Sequence, residues 1–120
     1  MIEKKQSSPL LINEPPLQVL PTLAKLIGLN EALVLQQLQY WLFHEKLGIT
    51  KNGQKWIYNS YPEWAKNFPF WDKRTIQRIF RSLEKEKLVL SSQFFKNKYN
   101  RMKSYRINYD VLNRLIKNIP

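Results

Sequence analysis

Asp72-Lys-Arg-Thr-Ile-Gln-Arg-Ile-Phe-Arg-Ser-Leu-Glu-Lys-Glu-Lys87 is the stretch on which the reading of this chain turns. Laid on a helical wheel at about 100° per residue with Ile76 as origin, Ile79, Phe80 and Leu83 fall within roughly 60° of it. Arg74, Arg78, Arg81 and Lys85 fall within roughly 40° of the opposite pole, and no acid shares their face. Glu84 and Glu86 lie on the flanks, where they do not neutralise those cations through i,i+4 pairing. One side of this helix suits a hydrophobic core and the other suits a polyanion. Asp72 is the expected N-cap.

Its neighbours give the helix a context. Ser60-Tyr-Pro-Glu-Trp-Ala-Lys-Asn-Phe68 predicts a short helix capped by Ser60 and stopped by Pro69, and a tight turn through Phe70 and Trp71 leads to Asp72. Residues 88–95 and 104–109 predict strands, and the segment between them, about 96–103, is a basic hairpin tip that carries Lys96, Lys98, Arg101 and Lys103. Helix, turn, helix and hairpin in that order predict a mainly α fold with a small β-hairpin wing, a winged helix-turn-helix. In such a domain the helix at about 72–87 enters the major groove of duplex DNA, and the wing meets the backbone or the adjacent minor groove. Arg can grip guanine O6 and N7, and Gln can pair with adenine N6 and N7, so Arg74, Gln77 and Arg78 in the early turns are candidates for reading bases. Lys73, Thr75, Arg81, Lys85 and the four wing cations suit phosphates.

Charge agrees with this placement. The chain of 120 residues carries 20 Lys and Arg against 9 Asp and Glu, a net charge of +11. Residues 61–120 hold a net +9 of it, which puts the polyanion-binding surface in the C-terminal half. With no cysteine, disulfides and thiolate metal sites are excluded. Neither a signal-peptide core nor a membrane-spanning apolar run is present, so a cytoplasmic, nucleoid-associated location with no membrane partner is expected. Catalysis finds no support in a carboxylate pair, a glycine-rich phosphate loop or a metal-ligand spacing, and the lone His44 reads as packed or dipole-favoured. The expectation is a non-enzyme with no cofactor and no metal.

The length fits one domain, read as 17–120, preceded by an arm at 1–16. Ser7, Ser8, Pro9, Pro15 and Pro16 predict an extended arm in which Leu10 to Ile12 can form a short strand or cover an edge. A first helix follows Leu17, with Pro21 in its first turn, and ends at Gly28. Asn30 is the expected cap of a second helix, at about 30–46, with Glu31 in its first turn. From Ala32 to Phe43 this helix has no charged residue, which predicts burial on most sides, either as a central core helix or as one that also forms an oligomer face. Asn52-Gly53 predicts a tight hairpin turn before a strand near Trp56 to Asn59. Asp110 is the expected cap of a last helix, whose Val111, Leu112, Leu115, Ile116 and Ile119 share one side that faces the core or a partner chain. The aromatic cluster Trp56, Tyr58, Tyr61, Trp64, Phe68, Phe70 and Trp71 favours core packing over base stacking on single strands, and Tyr99 at the wing tip is the expected exposed aromatic.

Several of these segments carry a family pattern: Leu17-Gln-Val-Leu-Pro-Thr-Leu-Ala24, Ile27-Gly-Leu-Asn-Glu-Ala-Leu-Val-Leu-Gln-Gln-Leu-Gln-Tyr-Trp-Leu42, Lys55-Trp-Ile-Tyr-Asn-Ser-Tyr-Pro-Glu-Trp64, Phe68-Pro-Phe-Trp71 and Thr75-Ile-Gln-Arg-Ile-Phe-Arg-Ser-Leu-Glu84. Over most of its length the chain resembles the N-terminal winged-helix domain of DnaD-like replication initiation proteins, or replisome organisers, from phages and mobile elements of Gram-positive bacteria. The resemblance implies replication-region DNA binding, often by an oligomer, and a further C-terminal domain that engages single strands or helicase-loading partners. The chain is then either the N-terminal piece of a longer initiator or a stand-alone DNA binder. It departs from the family at the helix cap, where Ser or Thr is expected and Asp72 stands. The carboxylate repels a phosphate docked at that helix N-terminus. Three alternatives remain: a winged-helix transcriptional regulator, an oligomerisation module with incidental DNA contact, and single-strand or RNA binding, which requires the aromatics to be exposed.

Overall fold

A computed structural model describes residues 6–94 and 103–117. Among them are six helices and a small four-stranded antiparallel sheet in the order β1-β2-β4-β3. The helices are α1 (Pro9–Ile12), α2 (Pro21–Ile27), α3 (Leu29–Phe43), α4 (Tyr61–Asn67), α5 (Lys73–Lys85) and α6 (Tyr109–Ile116). The strands are β1 (Ile49–Lys51), β2 (Gln54–Tyr58), β3 (Val89–Ser92) and β4 (Ser104–Ile107).

The stops and starts are local chemistry. Asn52 and Gly53 both take positive φ, 54° and 75°, so the chain reverses in two residues and Lys51 pairs with Gln54 across the turn. Ser60 accepts the Glu63 amide and starts α4. Proline stands at the head of α2 as expected, where its missing N–H costs nothing. Two caps differ from the sequence reading. Gly28, not Asn30, is the N-cap of α3: at φ 107° it accepts the Ala32 amide while donating its own N–H to Ala24, ending one helix and starting the next. Asn108, not Asp110, caps α6, and its side chain accepts the Val111 amide, leaving Asp110 in the first turn.

Packing centres on α5. Ile76, Ile79, Phe80 and Leu83 are buried against Val34, Leu35 and Leu38 of α3, Trp64 and Phe68 at α4, and Ile57, Val89, Tyr105 and Ile107 of the sheet. The Phe80 ring lies 4.4 Å from Tyr105, 4.9 Å from Trp64 and 5.9 Å from Tyr61, centroid to centroid. Trp41 of α3 packs against Trp64 with centroids 4.5 Å apart and the rings tilted by 48°. Burial holds the Tyr105 hydroxyl far above the ordinary phenol range, and its contact with the Tyr61 hydroxyl at 3.1 Å adds to that. β4 is inserted between β2 and β3, with Ile57 opposite Tyr105 and Val89 opposite Ile107, so the helical pair α4 and α5 is bracketed by strands of one sheet.

Two expectations about burial are corrected. α3 is buried along Ala32, Val34, Leu35 and Leu38, but Tyr40 and Phe43 stand in solvent, Phe43 at 77%. From Ala32 to Phe43 the helix has no charged residue to mark the side that faces out. The arm is not extended over Leu10 to Ile12: Ser8 caps a single helical turn there, opened by Pro9. Among the described residues no strand pairs with it. Ile119 lies outside the described residues.

Truncating the central ring separates the two kinds of aromatic. Phe80→Ala is expected to lower unfolding free energy by about 3–5 kcal/mol, and Phe43→Ala by no more than about 0.5 kcal/mol. Urea denaturation of the two variants measures both.

Candidate nucleic-acid interface

The buried residues of α5 fix which of its side chains face water. Lys73, Arg74, Arg78, Arg81 and Lys85 are all exposed, whereas Thr75 and Gln77 are half-buried on its flanks. Five cations therefore project from one helix whose opposite face is closed into the core. The described residues give none of these five an acidic partner within ion-pair distance.

The helix start is already occupied. The Asp72 carboxylate accepts the Thr75 amide at 2.8 Å, which leaves that N–H unavailable to an incoming anion. This hydrogen bond, reinforced by the positive charges of Arg74 and Arg78, holds the carboxyl below its ordinary range. Thr75 thus serves the cap through its backbone amide, and its half-buried hydroxyl also bonds the Asp72 carboxyl, so Thr75 is engaged by the cap at both groups. At the other end, Lys87 takes φ 60° and the Leu88 amide reaches back to the Leu83 carbonyl at 2.9 Å, closing the helix with a left-handed residue.

Of the four hairpin cations, Lys103 sits at the foot of β4, and its ammonium lies 3.8 Å from Glu84 of α5. It is tied to the helix rather than free in solvent. Lys96, Lys98 and Arg101, together with Tyr99, lie outside the described residues.

Arg106 was not singled out in the sequence reading, and Phe70, which that reading placed in the packed aromatic cluster, is exposed. Arg106 leaves β4 on the face opposite the buried Tyr105 and Ile107, and its guanidinium lies 5.7 Å from the Trp56 ring centroid. The alternation Ser104-Tyr-Arg-Ile107 carries that signal, since adjacent strand residues face opposite ways. Phe70 is 58% exposed, leaning on Trp71 and Phe68 with centroids 4.9 and 6.2 Å away. Trp64 and Phe68 pack in the core as expected, but the turn before α5 presents an aromatic ring to solvent.

Among the described residues no group of three or more His, Cys, Asp or Glu could hold a metal ion, and no helix is long and apolar enough to cross a membrane. His44 ends α3, and its ring accepts the Lys46 amide at 3.3 Å. No protein-family model, curated protein or solved structure matches the chain.

The cap has a pH signature. A carboxylate held below its ordinary value stabilises the fold above that value, and its contribution is lost as pH falls through the lower, folded one. Asp72→Ala is expected to melt at a lower temperature than the wild type near neutral pH. The gap should close as the pH drops below 3.8, the ordinary value for this carboxyl. Thermal unfolding of both proteins from pH 6 down to pH about 2 reads the convergence, and a gap that stays constant across that range contradicts the assignment.

Proposed function

We propose that this chain is a winged helix-turn-helix domain that binds duplex DNA with the outer face of α5 in the major groove. The observation that carries this reading is the exposure of Lys73, Arg74, Arg78, Arg81 and Lys85 on a helix anchored by Ile76, Ile79, Phe80 and Leu83. A helix is about 10–12 Å across, which matches a major groove of about 12 Å. The element order supports it as well: α3, β2, α4, α5 and then β3 and β4 paired beside β2 follow the order of a winged helix.

Roles follow from position and chemistry. Arg74, Gln77 and Arg78, in the first turns, meet base edges. Lys73, Arg81 and Lys85 meet phosphates and set the register of the helix on the duplex. Lys103 exchanges Glu84 for a phosphate when the hairpin approaches the backbone. The residues that resemble DnaD-like initiators extend the proposal to a role in replication initiation. Fragments selected from the source genome separate this from a transcriptional role by whether they cluster at origins or at promoters.

Arg74, Arg78 and Arg81 changed together to Glu are expected to abolish duplex binding in fluorescence anisotropy, with circular dichroism and melting temperature retained because none of the three is in the core. Wild-type affinity in that folded variant overturns the assignment of the face. Lys85→Ala should weaken all duplexes alike and reduce the slope of log affinity against log salt by about 0.9, whereas Arg78→Ala should cost about 1–3 kcal/mol and relax preference at one base pair. Glu84→Gln removes the acid beside Lys103 and is expected to tighten duplex binding by up to about fivefold, the scale of a surface ion pair. Unchanged or weaker binding argues against the exchange.

A further inference from the structure

Away from α5, two faces of the molecule differ in character. Around the apolar groove of about 400 Å³ between α2, α3 and α6 every wall residue is uncharged. The outer face of the sheet instead sets aromatic rings among cations.

Strand alternation and register decide which residues share that face. Ile57, Val89, Tyr105 and Ile107 point into the core. Trp56, Tyr58, Leu90 and Arg106, each adjacent to one of them, therefore point away from it. β1 extends the same face, because Ile49 is opposite Trp56 and Lys51 is opposite Gln54. Tyr58 is 40% exposed and Leu90 37%, and Lys51 and Gln54 are exposed at the outer end. Trp56 is half-buried among neighbours on this side: Phe94 meets it edge-on with centroids 5.1 Å apart, and the Arg106 guanidinium lies over its ring. The core is on the opposite side, so the packing of α4 and α5 does not require rings here.

None of the four strands contains an acidic residue, whereas Lys51 and Arg106 both belong to this face. It is positive with no counter-ion from the strands, which suits a polyanion. The rings decide which polyanion. In a duplex the faces of the bases are stacked on one another, and its grooves admit a helix or a two-stranded ribbon rather than a broad sheet. In a single strand those faces are open, and they stack on aromatic rings and on guanidinium planes while the backbone phosphates meet cations. Trp56 and Tyr58 are two residues apart on one strand, about 6.6 Å, and so form adjacent steps along one line. An acidic peptide would meet the cations but leave the rings without a flat partner.

We propose that the outer face of the sheet is a second nucleic-acid site, which binds single strands by base stacking. Tyr58 takes one base and the Trp56–Arg106 pair the next, with Lys51 on the phosphates. The site uses no residue of α5 and does not rest on the duplex reading.

Fluorescence anisotropy on the full chain tests it, with labelled oligothymidylate and oligouridylate of about 12 nucleotides, within the usual range of site sizes, at about 0.15 M salt. Both are expected to bind, and the ratio of their affinities tells which backbone is preferred. An abasic oligomer of the same length keeps the phosphates and loses the bases, and is expected to bind at least about fivefold more weakly. Tyr58→Ala should lose at least about fivefold on oligothymidylate and keep wild-type affinity for a duplex. Tyr58→Phe should restore single-strand binding, since the ring and not the hydroxyl carries the stack. Lys51→Gln, at an exposed edge position that no core contact depends on, should lower the slope of log affinity against log salt by about 0.7. Absence of single-strand binding overturns the proposal. Equal affinity for the abasic oligomer overturns it in favour of a general polyanion surface, open to acidic peptides. Wild-type affinity in Tyr58→Ala, an equal loss in Tyr58→Phe, or an unchanged salt slope in Lys51→Gln overturns the assignment to this face. The duplex probe is read separately, so failure of duplex binding leaves each of these outcomes readable.

Discussion

Phe80 is the side chain through which three parts of the molecule are held in register. Its ring meets Trp64 from α4 and Tyr105 from β4, and Tyr61 closes over the edge. Offset and edge-on contacts between such rings fix orientation as well as burying area. α5 is therefore set in rotation about its own axis, and that rotation alone determines where Arg74, Arg78 and Arg81 point. Stability and presentation of the charged face are one property here, because the same ring supplies both.

The fold separates two surfaces by their electrostatics. Along α5, repulsion among five cations is tolerated because all of them reach water and the helix is held from behind by packing rather than by ion pairs. On the side of α2 and α6 the surface is aliphatic and neutral. A polyanion brought to the first surface leaves the second untouched.

What could be read in the sequence was what depends on near neighbours. The two faces of α5 follow from periodicity, and the Asn52-Gly53 reversal and the Ser60 cap follow from the chemistry of one or two residues. The misplaced caps show where this stops. Asn30 has the better capping side chain, but Gly28 can adopt φ 107° and so serves two helices at once, a geometry that propensity does not reveal. Asp110 and Asn108 are both competent caps, and the choice is made by where β4 ends, with the Asn108 amide donating to the Leu88 carbonyl. The exposed ends of α3 at Tyr40 and Phe43 depend on what the rest of the chain leaves uncovered, which no local pattern encodes. Arg106 was legible by alternation, and Phe70 was not, because a turn has no period. Of the site, the α5 cations were legible as a set. The tie between Lys103 and Glu84 was not, because it joins a strand to a helix across the hairpin.

The shared residue between α2 and α3 bears on how this chain can vary. Most helix pairs are separated by a loop that absorbs insertions, deletions and small changes in crossing angle. Here one peptide unit does that work, and at positive φ a side chain at position 28 would also press on Glu31. The junction has no slack. Length changes over an evolutionary or engineered series should be purged there and accumulate instead at the Asn52-Gly53 turn, where a Cβ at Gly53 meets nothing within 4 Å, although its φ of 75° still strains a side chain placed at that position itself. The tolerant point for grafting a tag or a fluorophore is thus at the outer edge of the sheet.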